Sequence, residues 1–280
     1  PIVFHPQALH QRTVSDEVYL KWRSFEKKMN GFMLKASDGE IWKGEVIGLL
    51  GPNGIGKTTF IRILAGELEL EENVFATNRD LLKISYKPQY IYPERYEGSV
   101  QDVLKRANPS SVTPGSWAYI EIVRKLRLHR LLDRKASELS GGELQKLAIA
   151  ETLVREADIY LFDEPSAYLD VEERLSVAKA IKRLVETRGV VAFVVEHDLA
   201  IQDYISDRII IFRCQPGVAG HASKPMPLRE SMNLFLKDLG ITFRRDPTTG
   251  RPRVNKEDSY LDRLQKRLGE YYYIPLRGED

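Results

Sequence analysis

Short apolar runs alternate with stretches of helical periodicity along the middle of the chain. Apolar runs typical of buried strands occupy residues 45–50, 82–86, 159–162, 190–195 and 208–212. Residues 141–155 and 171–187 carry apolar side chains at the spacing of one helix face. Strands that alternate with helices in this way predict an α/β fold, with helices on both faces of a largely parallel sheet.

Three segments depart from this alternation. Residues 1–40 are polar with scattered aromatic side chains, and they predict irregular structure. Residues 98–138 are helix-like around a Pro/Ser/Gly loop, and they predict a helical insertion. The stretch QPGVAGHASKPMP predicts a linker because of its proline and glycine content, and a helix-like segment, LRESMNLFLKDLG, and a basic tail follow it.

Composition changes this picture little. The chain carries 42 Lys and Arg against 40 Asp and Glu, a net charge of +2 that favours no class of partner. Its single cysteine, Cys214, excludes a disulfide framework and a multi-cysteine metal site within the chain, and suits a reducing, cytoplasmic location. No apolar run approaches the ~18 residues that a membrane helix needs. The chain starts with Pro1 and shows no signal-peptide pattern, so we expect a processed product or a piece of a longer protein.

The stretch GPNGIGKT fits the phosphate-loop pattern GxxxxGK[ST] and lies between a predicted strand and a predicted helix. In such a loop, glycines let backbone N–H groups turn toward phosphate oxygens, and the following helix N-terminus adds a favourable dipole. Lys57 then reaches the β- and γ-phosphates, and the Thr58 hydroxyl binds Mg²⁺. The alternative is a Gly-rich turn with an incidental lysine. We predict a nucleotide site formed by Asn53, Gly54, Ile55, Gly56, Lys57, Thr58 and Thr59.

The stretch YLFDEPSAYLD places two acids at the end of a predicted strand and a third after a turn. Asp163 has the position of a Walker-B aspartate, which holds Mg²⁺ opposite the phosphate-loop threonine. Glu164 follows it, where a carboxylate can polarise or position the attacking water. The alternative is an acid pair that caps the next helix, and the phosphate loop upstream favours the metal and water roles.

The stretch LSGGE starts the predicted helix that precedes Asp163. A Ser-Gly-Gly turn at a helix N-terminus is a second device for binding phosphate. With this motif the sequence resembles the ATP-binding cassette (ABC) ATPases, and the resemblance covers roughly residues 20–213. The resemblance implies that the signature of one domain closes over the ATP of a second domain, through Ser140, Gly141, Gly142 and Glu143.

The other motifs of that family match residue by residue. Gln89 in YKPQY matches the Q-loop glutamine, which contacts Mg²⁺ and the water site, and His197 in VVEHD matches the switch histidine at the γ-phosphate. Asp170 matches the D-loop aspartate, which faces the partner domain. The aromatic side chain that stacks on adenine is expected to be Trp22 or Phe25, for which core packing is the alternative.

Further details resemble one class of the family. The common D-loop reads SALD, whereas SAYLD here is one residue longer. Together with YKPQYI and the tail stretches GITFRRDPTTGRPRVNKEDS and GEYYYI, it resembles the second nucleotide-binding domain of the ABC-E class, the RNase L inhibitor or ribosome-recycling ATPases. The resemblance implies a P-loop NTPase fold of the ABC type with a C-terminal hinge-like extension. The expected parts are an extension or linker at 1–18, the ABC domain at 19–213 with a helical subdomain near 98–155, and the hinge at 214–280.

The resemblance also implies function and partners. Proteins of this class close two ABC domains on ATP and Mg²⁺ against the small ribosomal subunit, with a release-type factor in the A site, and so split the ribosome. This chain has one phosphate loop, one signature and one cysteine, so we expect the C-terminal half, without an iron–sulfur cluster. Its partner is then a second ABC domain in the upstream half of the same protein. In isolation the chain is expected to form a weak homodimer and to have weak ATPase activity. No membrane partner is expected.

Two other interpretations stay open. The first is the energy-supplying subunit of a membrane transporter, against which the longer D-loop and the tail argue. The second is a soluble ABC ATPase of translation or DNA repair, which would need a charged interdomain linker or a long coiled coil. In the tail, residues 244–267 carry eight basic and four acidic side chains, which either bind rRNA phosphates or belong to a solvated hinge. Residues 271–273, three tyrosines, either stack on bases or pack into the hinge.

Overall fold

The computed structural model describes residues 18–29, 31–76, 81–215, 219–246, 250 and 252–273, without the side chain of Gln215. Its strands are β1 Val18–Trp22, β2 Phe25–Met29, β3 Phe32–Ala36, β4 Gly39–Trp42, β5 Val46–Leu50, β6 Ile84–Lys87, β7 Ile159–Asp163, β8 Val191–Val195, β9 Arg208–Gln215, β10 Ala219–Ala222, β11 Met226–Pro227, β12 Phe243–Arg245 and β13 Pro252–Val254. Its α-helices are α1 Lys57–Ala65, α2 Val100–Ala107, α3 Gly141–Val154, α4 Val171–Arg188, α5 Leu199–Ile205, α6 Leu228–Leu239 and α7 Tyr260–Leu268.

A nine-stranded mixed sheet forms the centre of the molecule. Its main path runs β2-β3-β10-β9-β5-β8-β7-β6, and the short β11 pairs with β9. The five strands β9, β5, β8, β7 and β6 are parallel to their neighbours in this order. Every residue of β5, β7 and β8 is buried, as expected for parallel strands covered on both faces. The predicted alternation of strands and helices is therefore confirmed.

Residues 18–42 correct the prediction of irregular structure for the first forty residues. They form β1 to β4, with β1 paired to β4 in a separate two-stranded sheet and β2 paired to β3 in the main sheet. Their exposed positions are rich in charge, as in FEKKM, so the two-residue alternation of these strands of four or five residues was hidden. Residues 1–17, most of the predicted N-terminal extension, lie outside the described residues.

The stretch predicted as a linker contributes strands to the main sheet. Strand β9 continues through residues 213 and 214, where the sequence indicated the end of the ABC domain, and β10 lies between β9 and β3. Gly220 in β10 serves a close approach of two backbones, since an added Cβ would lie 2.1 Å from the Ile55 carbonyl oxygen. The linker prediction was wrong here because glycine was taken as a sign of flexibility.

The predicted helical insertion at 98–138 is confirmed in outline. It contains α2, 3-10 turns at Pro109–Val112, Leu128–Arg130 and Ala136–Glu138, and a π-helical turn at Tyr119–Arg124. Its buried side chains, such as Leu104 and Ile122, join those of α3 and α4 in one apolar cluster. This packing places the N-terminus of α3 beside the loop that follows β7.

The tail packs on the nucleotide-binding part of the same chain. Helix α6, the hairpin β12–β13 and α7 surround an apolar cluster that joins Tyr272 and Tyr273 to Leu50 and Ile209 of the sheet. Both tyrosines are buried, so they fit the packing alternative, here against their own sheet. No helix among the described residues is long and apolar enough to cross a membrane.

Candidate nucleotide-binding site

The register of the parallel strands assembles the site. Val195 at the end of β8 lies opposite both Leu49 in β5 and Asp163 in β7, and Lys87 in β6 lies opposite Phe162. The loops that follow these strands therefore leave the sheet at the same edge. They carry the phosphate loop, Glu164, His197 and Gln89, as is usual for ligand sites at the carboxyl ends of parallel strands.

The phosphate loop turns tightly into α1. Gly54 and Gly56 have φ angles of 73° and 103°, a region that favours glycine, and Gly56 is the N-cap of the helix. The buried Lys57 curls back and donates to the carbonyl oxygens of Gly51 and Pro52, both at 2.7 Å. Burial lowers the pKa of this lysine, while Glu164 and Asp163 oppose the shift. Asn53 and Gly54 are exposed on the outer side of the loop.

Asp163 is a fully buried carboxylate without a good hydrogen bond. Neither oxygen accepts a hydrogen bond of normal geometry from the described residues. Burial raises its pKa, and the neighbouring Thr58 side chain lowers it. An unpartnered buried carboxylate is costly, and a hard divalent cation is the natural partner for its oxygens. Asp163, Thr58 and Lys57 together fit Mg²⁺ bound with a nucleotide phosphate chain.

Gln89 and His197 meet at Glu164. The Gln89 amide donates to Glu164 Oε1 at 2.9 Å, and His197 Nε2 lies 3.0 Å from the same oxygen. The Glu164 side chain is 26% exposed, so its carboxylate borders the open edge of the site. Gln89, expected at Mg²⁺ and the water site, and His197, expected at the γ-phosphate, thus both contact the carboxylate that was expected to position the water.

Two buried side chains that the sequence analysis missed hold the backbone of Glu164, whose φ is +49°. Lys87 Nζ donates to the Asp163 carbonyl at 2.8 Å and contacts that of Glu164 at 3.3 Å. Gln145 Nε2 donates to the carbonyls of Glu164 and Pro165, both at 3.0 Å. Burial lowers the pKa of Lys87 to about 8, although Asp163 opposes this. Strand β6 and helix α3 contain other polar residues, so no local signal in the sequence marked Lys87 or Gln145.

The signature residues lie at the start of α3, next to the loop after β7. Ser140 and Glu143 form a capping box, with the Ser140 N–H donating to Glu143 at 2.8 Å. A Cβ on Gly142 would lie 3.1 Å from the carbonyl oxygen of Tyr168, whose side chain is 78% exposed. Among the described residues, no hydrogen bond or ion pair joins Ser140, Gly141, Gly142 or Glu143 to the phosphate loop. The signature and the phosphate loop are separate surfaces.

Asp170 is the N-cap of α4. Its Oδ1 accepts the Glu173 N–H at 2.8 Å, and the residue is exposed beside Tyr168. Helix capping was the alternative considered for the strand-end pair Asp163 and Glu164, and in the structure Asp170 performs it. The cap leaves Asp170 on the same outer surface as the signature.

Trp22 and Phe25, the residues expected at the adenine, lie in the core. Trp22 is 1% exposed, donates from Nε1 to the Ser37 carbonyl at 2.9 Å and packs edge-on against Phe60. Phe25 is stacked on Phe60 with the ring centroids 6.0 Å apart. Both fit the core-packing alternative. The ring that adjoins the phosphate loop belongs to Phe32, 3.1 Å from where a Cβ on Gly56 would lie, and the sequence analysis missed it.

Comparison with known proteins gives one matching family model and many relatives. The model described as "ABC transporter" matches residues 34–167. An uncharacterized ABC transporter ATP-binding protein of Methanocaldococcus jannaschii is 51% identical, over 98% of this chain and 45% of that protein. The translation initiation factor RLI1 of Saccharomyces cerevisiae is 40% identical, over 91% of this chain and 41% of that protein. ABC transporter E family member 3 of Arabidopsis thaliana is 37% identical, over 60% of this chain and 93% of that protein.

Two solved structures are similar along nearly the whole chain. The structure titled "RNase-L Inhibitor" has a TM-score of 0.89 at 49% identity, over 96% of this chain and 52% of that one. The structure titled "Model of ribosome-bound archaeal Pelota and ABCE1" has a TM-score of 0.89 at 50% identity, over 97% of this chain and 45% of that one. The fold is that of an ABC-type P-loop NTPase, as predicted. The chain spans about half the length of these proteins and less than half of the first two relatives.

Proposed function

This chain belongs to the ABC-E family of ATP-binding cassette proteins, and from that premise we propose that it is one ATPase domain of a machine that separates ribosomal subunits. ATP hydrolysis and the binding of ATP with Mg²⁺ are the expected activities of the family. The observation that carries the proposal for this chain is the group formed by the unpartnered Asp163 carboxylate and the contacts of Gln89 and His197 with Glu164.

The roles of the residues follow from their positions. The phosphate loop and Lys57 would bind the phosphate chain, and Thr58, Gln89 and Asp163 would hold Mg²⁺, which would neutralise charge on the phosphate oxygens. Glu164 orients the attacking water and accepts its proton. Gln89 and His197 fix the Glu164 carboxylate through Oε1, and His197 also faces the γ-phosphate. Phe32, next to the phosphate loop, is placed to border the nucleotide.

A second ABC domain is needed to complete the site. No hydrogen bond or ion pair joins the signature to the phosphate loop of its own chain in the described residues, and the signature lies beside Tyr168, close to the exposed Asp170. We therefore propose that Ser140 to Glu143 bind the ATP of a partner domain. In isolation the chain then binds ATP but hydrolyses it slowly, through a weak homodimer. The residues from 214 onward act as a hinge on the nucleotide-binding domain at 19–213.

The ribosome enters the proposal through the relatives. One is named a translation initiation factor, one structure is titled as a complex of an archaeal ribosomal stalk protein with a ribosome recycling factor, and another as ribosome-bound. We propose by analogy that the small ribosomal subunit and a release-type factor are partners, in the cytoplasm. In the tail, Arg253 pairs with Asp246 and Lys266 with Asp262, which supports the solvated-hinge alternative over direct contact with rRNA.

Co-sedimentation with small ribosomal subunits tests this proposal. The experiment uses the longest natural polypeptide that contains this chain, carrying Glu164→Gln, with ATP or ADP at near-physiological salt. We expect retention with ATP and release with ADP, because only ATP holds the two domains closed. A matched Lys57→Ala variant, deficient in ATP binding, should not be retained. Retention in neither state, with ATP binding intact, would reject the ribosome as partner and favour a transporter subunit.

A further inference from the structure

Glu196 is a buried carboxylate to which the proposed mechanism gives no part. It follows β8 directly, precedes His197, and is 3% exposed. Its Oε1 accepts the backbone N–H of His197 at 2.8 Å and that of Asp198 at 3.0 Å. These two bonds shape the turn from which the His197 imidazole reaches Glu164 Oε1. The carboxylate of Glu196 thus determines where the imidazole points.

The backbone directly before Glu196 contacts the loop after β7, since the Glu164 N–H donates to the Val195 carbonyl at 3.0 Å. Burial raises the pKa of the Glu196 carboxyl, and the neighbouring Ser166 side chain opposes the shift. The second oxygen, Oε2, accepts no hydrogen bond of normal geometry from the described residues. Ser166 is itself buried and lies between Glu164 and Tyr168 on the loop that reaches the signature. Glu196 therefore stands between the turn of His197 and the loop of residues 164–170.

Arg174 on α4 ties these two segments together a second time. Its Nε donates to the Leu169 carbonyl at 2.9 Å, and its guanidinium lies 3.4 Å from Asp198 Oδ2. Asp198 is the N-cap of α5 and directly follows His197. Two independent links, the backbone hydrogen bond from Glu164 to Val195 and the Arg174 side chain, thus join the segment that carries His197 to the loop of residues 164–170.

We propose that Glu196 is a positioning residue for His197, and that Arg174 and the Glu164–Val195 hydrogen bond make the His197 turn and the loop of residues 164–170 move as one unit. Displacement of that loop, which lies on the outer surface beside the signature, is then transmitted to the contact between His197 and Glu164. The hydrogen-bond acceptor at Oε1 performs this role, so an amide in its place preserves it. The effect on hydrolysis rests on the proposed ATPase function, whereas the position of the imidazole does not.

Two variants and two measurements test the proposal. Glu196→Ala removes the acceptor, and Glu196→Gln keeps it without the charge. In the alanine variant we expect kcat for ATP to fall between about tenfold and a hundredfold with KM nearly unchanged, because the reacting groups are misplaced while the phosphate loop is intact. The glutamine variant should restore most of kcat. An equal loss in both variants would show that the charge matters and would overturn the positioning role.

The imidazole resonances of His197 give a readout that needs no catalysis. The chain has five histidines, so a His197→Gln variant identifies the His197 signal in a histidine-labelled carbon–proton NMR spectrum. We expect this signal to shift in Glu196→Ala and to stay in place in Glu196→Gln. Lys179→Ala, on the exposed face of α4, is the control and should leave it unchanged. An unmoved signal in Glu196→Ala would overturn the proposal even if the wild-type chain hydrolyses no ATP.

If circular dichroism shows that Glu196→Ala does not fold, Arg174→Ala is used in its place for the NMR measurement. This variant removes the hydrogen bond to the Leu169 carbonyl and the contact with Asp198, so it should shift the same His197 signal. A His197 signal unchanged by Arg174→Ala would show that the two segments are not joined, and would contradict the proposal.

Discussion

Gln89 and His197 contact the same oxygen of Glu164, at 2.9 and 3.0 Å. The first residue follows the edge strand β6 and the second follows β8, so the carboxylate lies between segments on either side of β7. This arrangement makes the orientation of Glu164 depend on both neighbouring loops. The two contacts therefore fix the orientation of the Glu164 carboxylate next to the buried Asp163.

Glu164→Gln should retain ATP binding and lose hydrolysis. The amide is nearly isosteric, so the phosphate loop is undisturbed, but it cannot accept a proton from water. We expect hydrolysis to fall by at least about a hundredfold, a typical contribution of a general base. Phosphate release and binding of a fluorescent ATP analogue measure the two effects. Glu156→Gln, an exposed acid before β7, is the control, and loss of ATP binding in Glu164→Gln would contradict the assigned role.

The proposed composite site, built from two chains, predicts that the wild-type rate per chain rises with protein concentration. Dilution should therefore lower the specific activity, and a static light-scattering measurement should show ATP-dependent association over the same range. A high rate that is independent of concentration would contradict the need for a second domain. It would leave the assignment of the phosphate loop intact.

Gln145→Leu should weaken the link between the signature helix and Glu164. The substitution leaves the Glu164 and Pro165 carbonyls without their buried donor, and each such loss costs about 1–3 kcal/mol. We expect a lower free energy of unfolding in urea and slower hydrolysis, with ATP affinity nearly unchanged. Gln101→Leu, on the exposed face of α2, is the control. Unchanged stability and hydrolysis in Gln145→Leu would show that these bonds do not hold the turn.

The phosphate loop, Asp163 and the strand cores were predictable because each is a local pattern. A parallel strand buried on both faces is a short apolar run, and the phosphate loop needs its glycines and its lysine within eight residues. Their meeting at one sheet edge also follows from parallel strands. The family resemblance assigned Gln89, His197 and Glu164 to one site, but it did not predict that the first two contact Glu164.

Trp22, Lys87 and Gly220 were beyond local reasoning, since each depends on a distant partner. Trp22 is in the core because Phe60, in the helix after the phosphate loop, packs against it. Lys87 can be buried because the carbonyl oxygens of Asp163 and Glu164, at the end of β7, accept its hydrogen bonds. Gly220 lies in a strand that pairs with β3 and β9. It is a glycine there because Ile55, about 165 residues earlier in the chain, approaches its backbone closely. Residue type suggests exposure for Lys87 and a linker for Gly220, and tertiary contacts override it; for Trp22, residue type left adenine stacking and core packing both open.

Gly220→Ala should lower ATP affinity although Gly220 lies outside the phosphate loop. The added methyl group would meet the Ile55 carbonyl at 2.1 Å, and backbone must move to relieve that contact. We expect roughly a tenfold rise in the Kd for ATP, equivalent to about 1.4 kcal/mol. Ala219→Ser in the same strand is the control. Unchanged affinity in Gly220→Ala would show that the strand, not the phosphate loop, absorbs the strain.

Asp203 should make stability depend on pH through the contact between the tail and α5. This buried carboxyl meets the Tyr272 hydroxyl and lies 3.3 Å from Arg245, and burial raises its pKa from 3.8 to about 6 although Arg245 and Lys182 oppose the shift. Between these two pH values the folded chain binds more protons at Asp203 than the unfolded chain does. The contribution of this group to the free energy of unfolding therefore falls as pH rises through that window, by at most about 3 kcal/mol.

Asp203→Asn removes this titration while keeping a hydrogen-bonding side chain of the same shape. Relative to wild type, the variant should gain stability as pH rises from about 4 to about 7, because only the wild-type carboxyl becomes charged in its buried place. Urea unfolding at several pH values gives the two curves, and their difference isolates Asp203 from every other acid. Asp238→Asn, at an exposed ion pair with Arg213, should leave the wild-type curve unchanged in shape. A constant difference between Asp203→Asn and wild type would mean that Asp203 titrates at its ordinary pKa, and that the tail does not bury its charge.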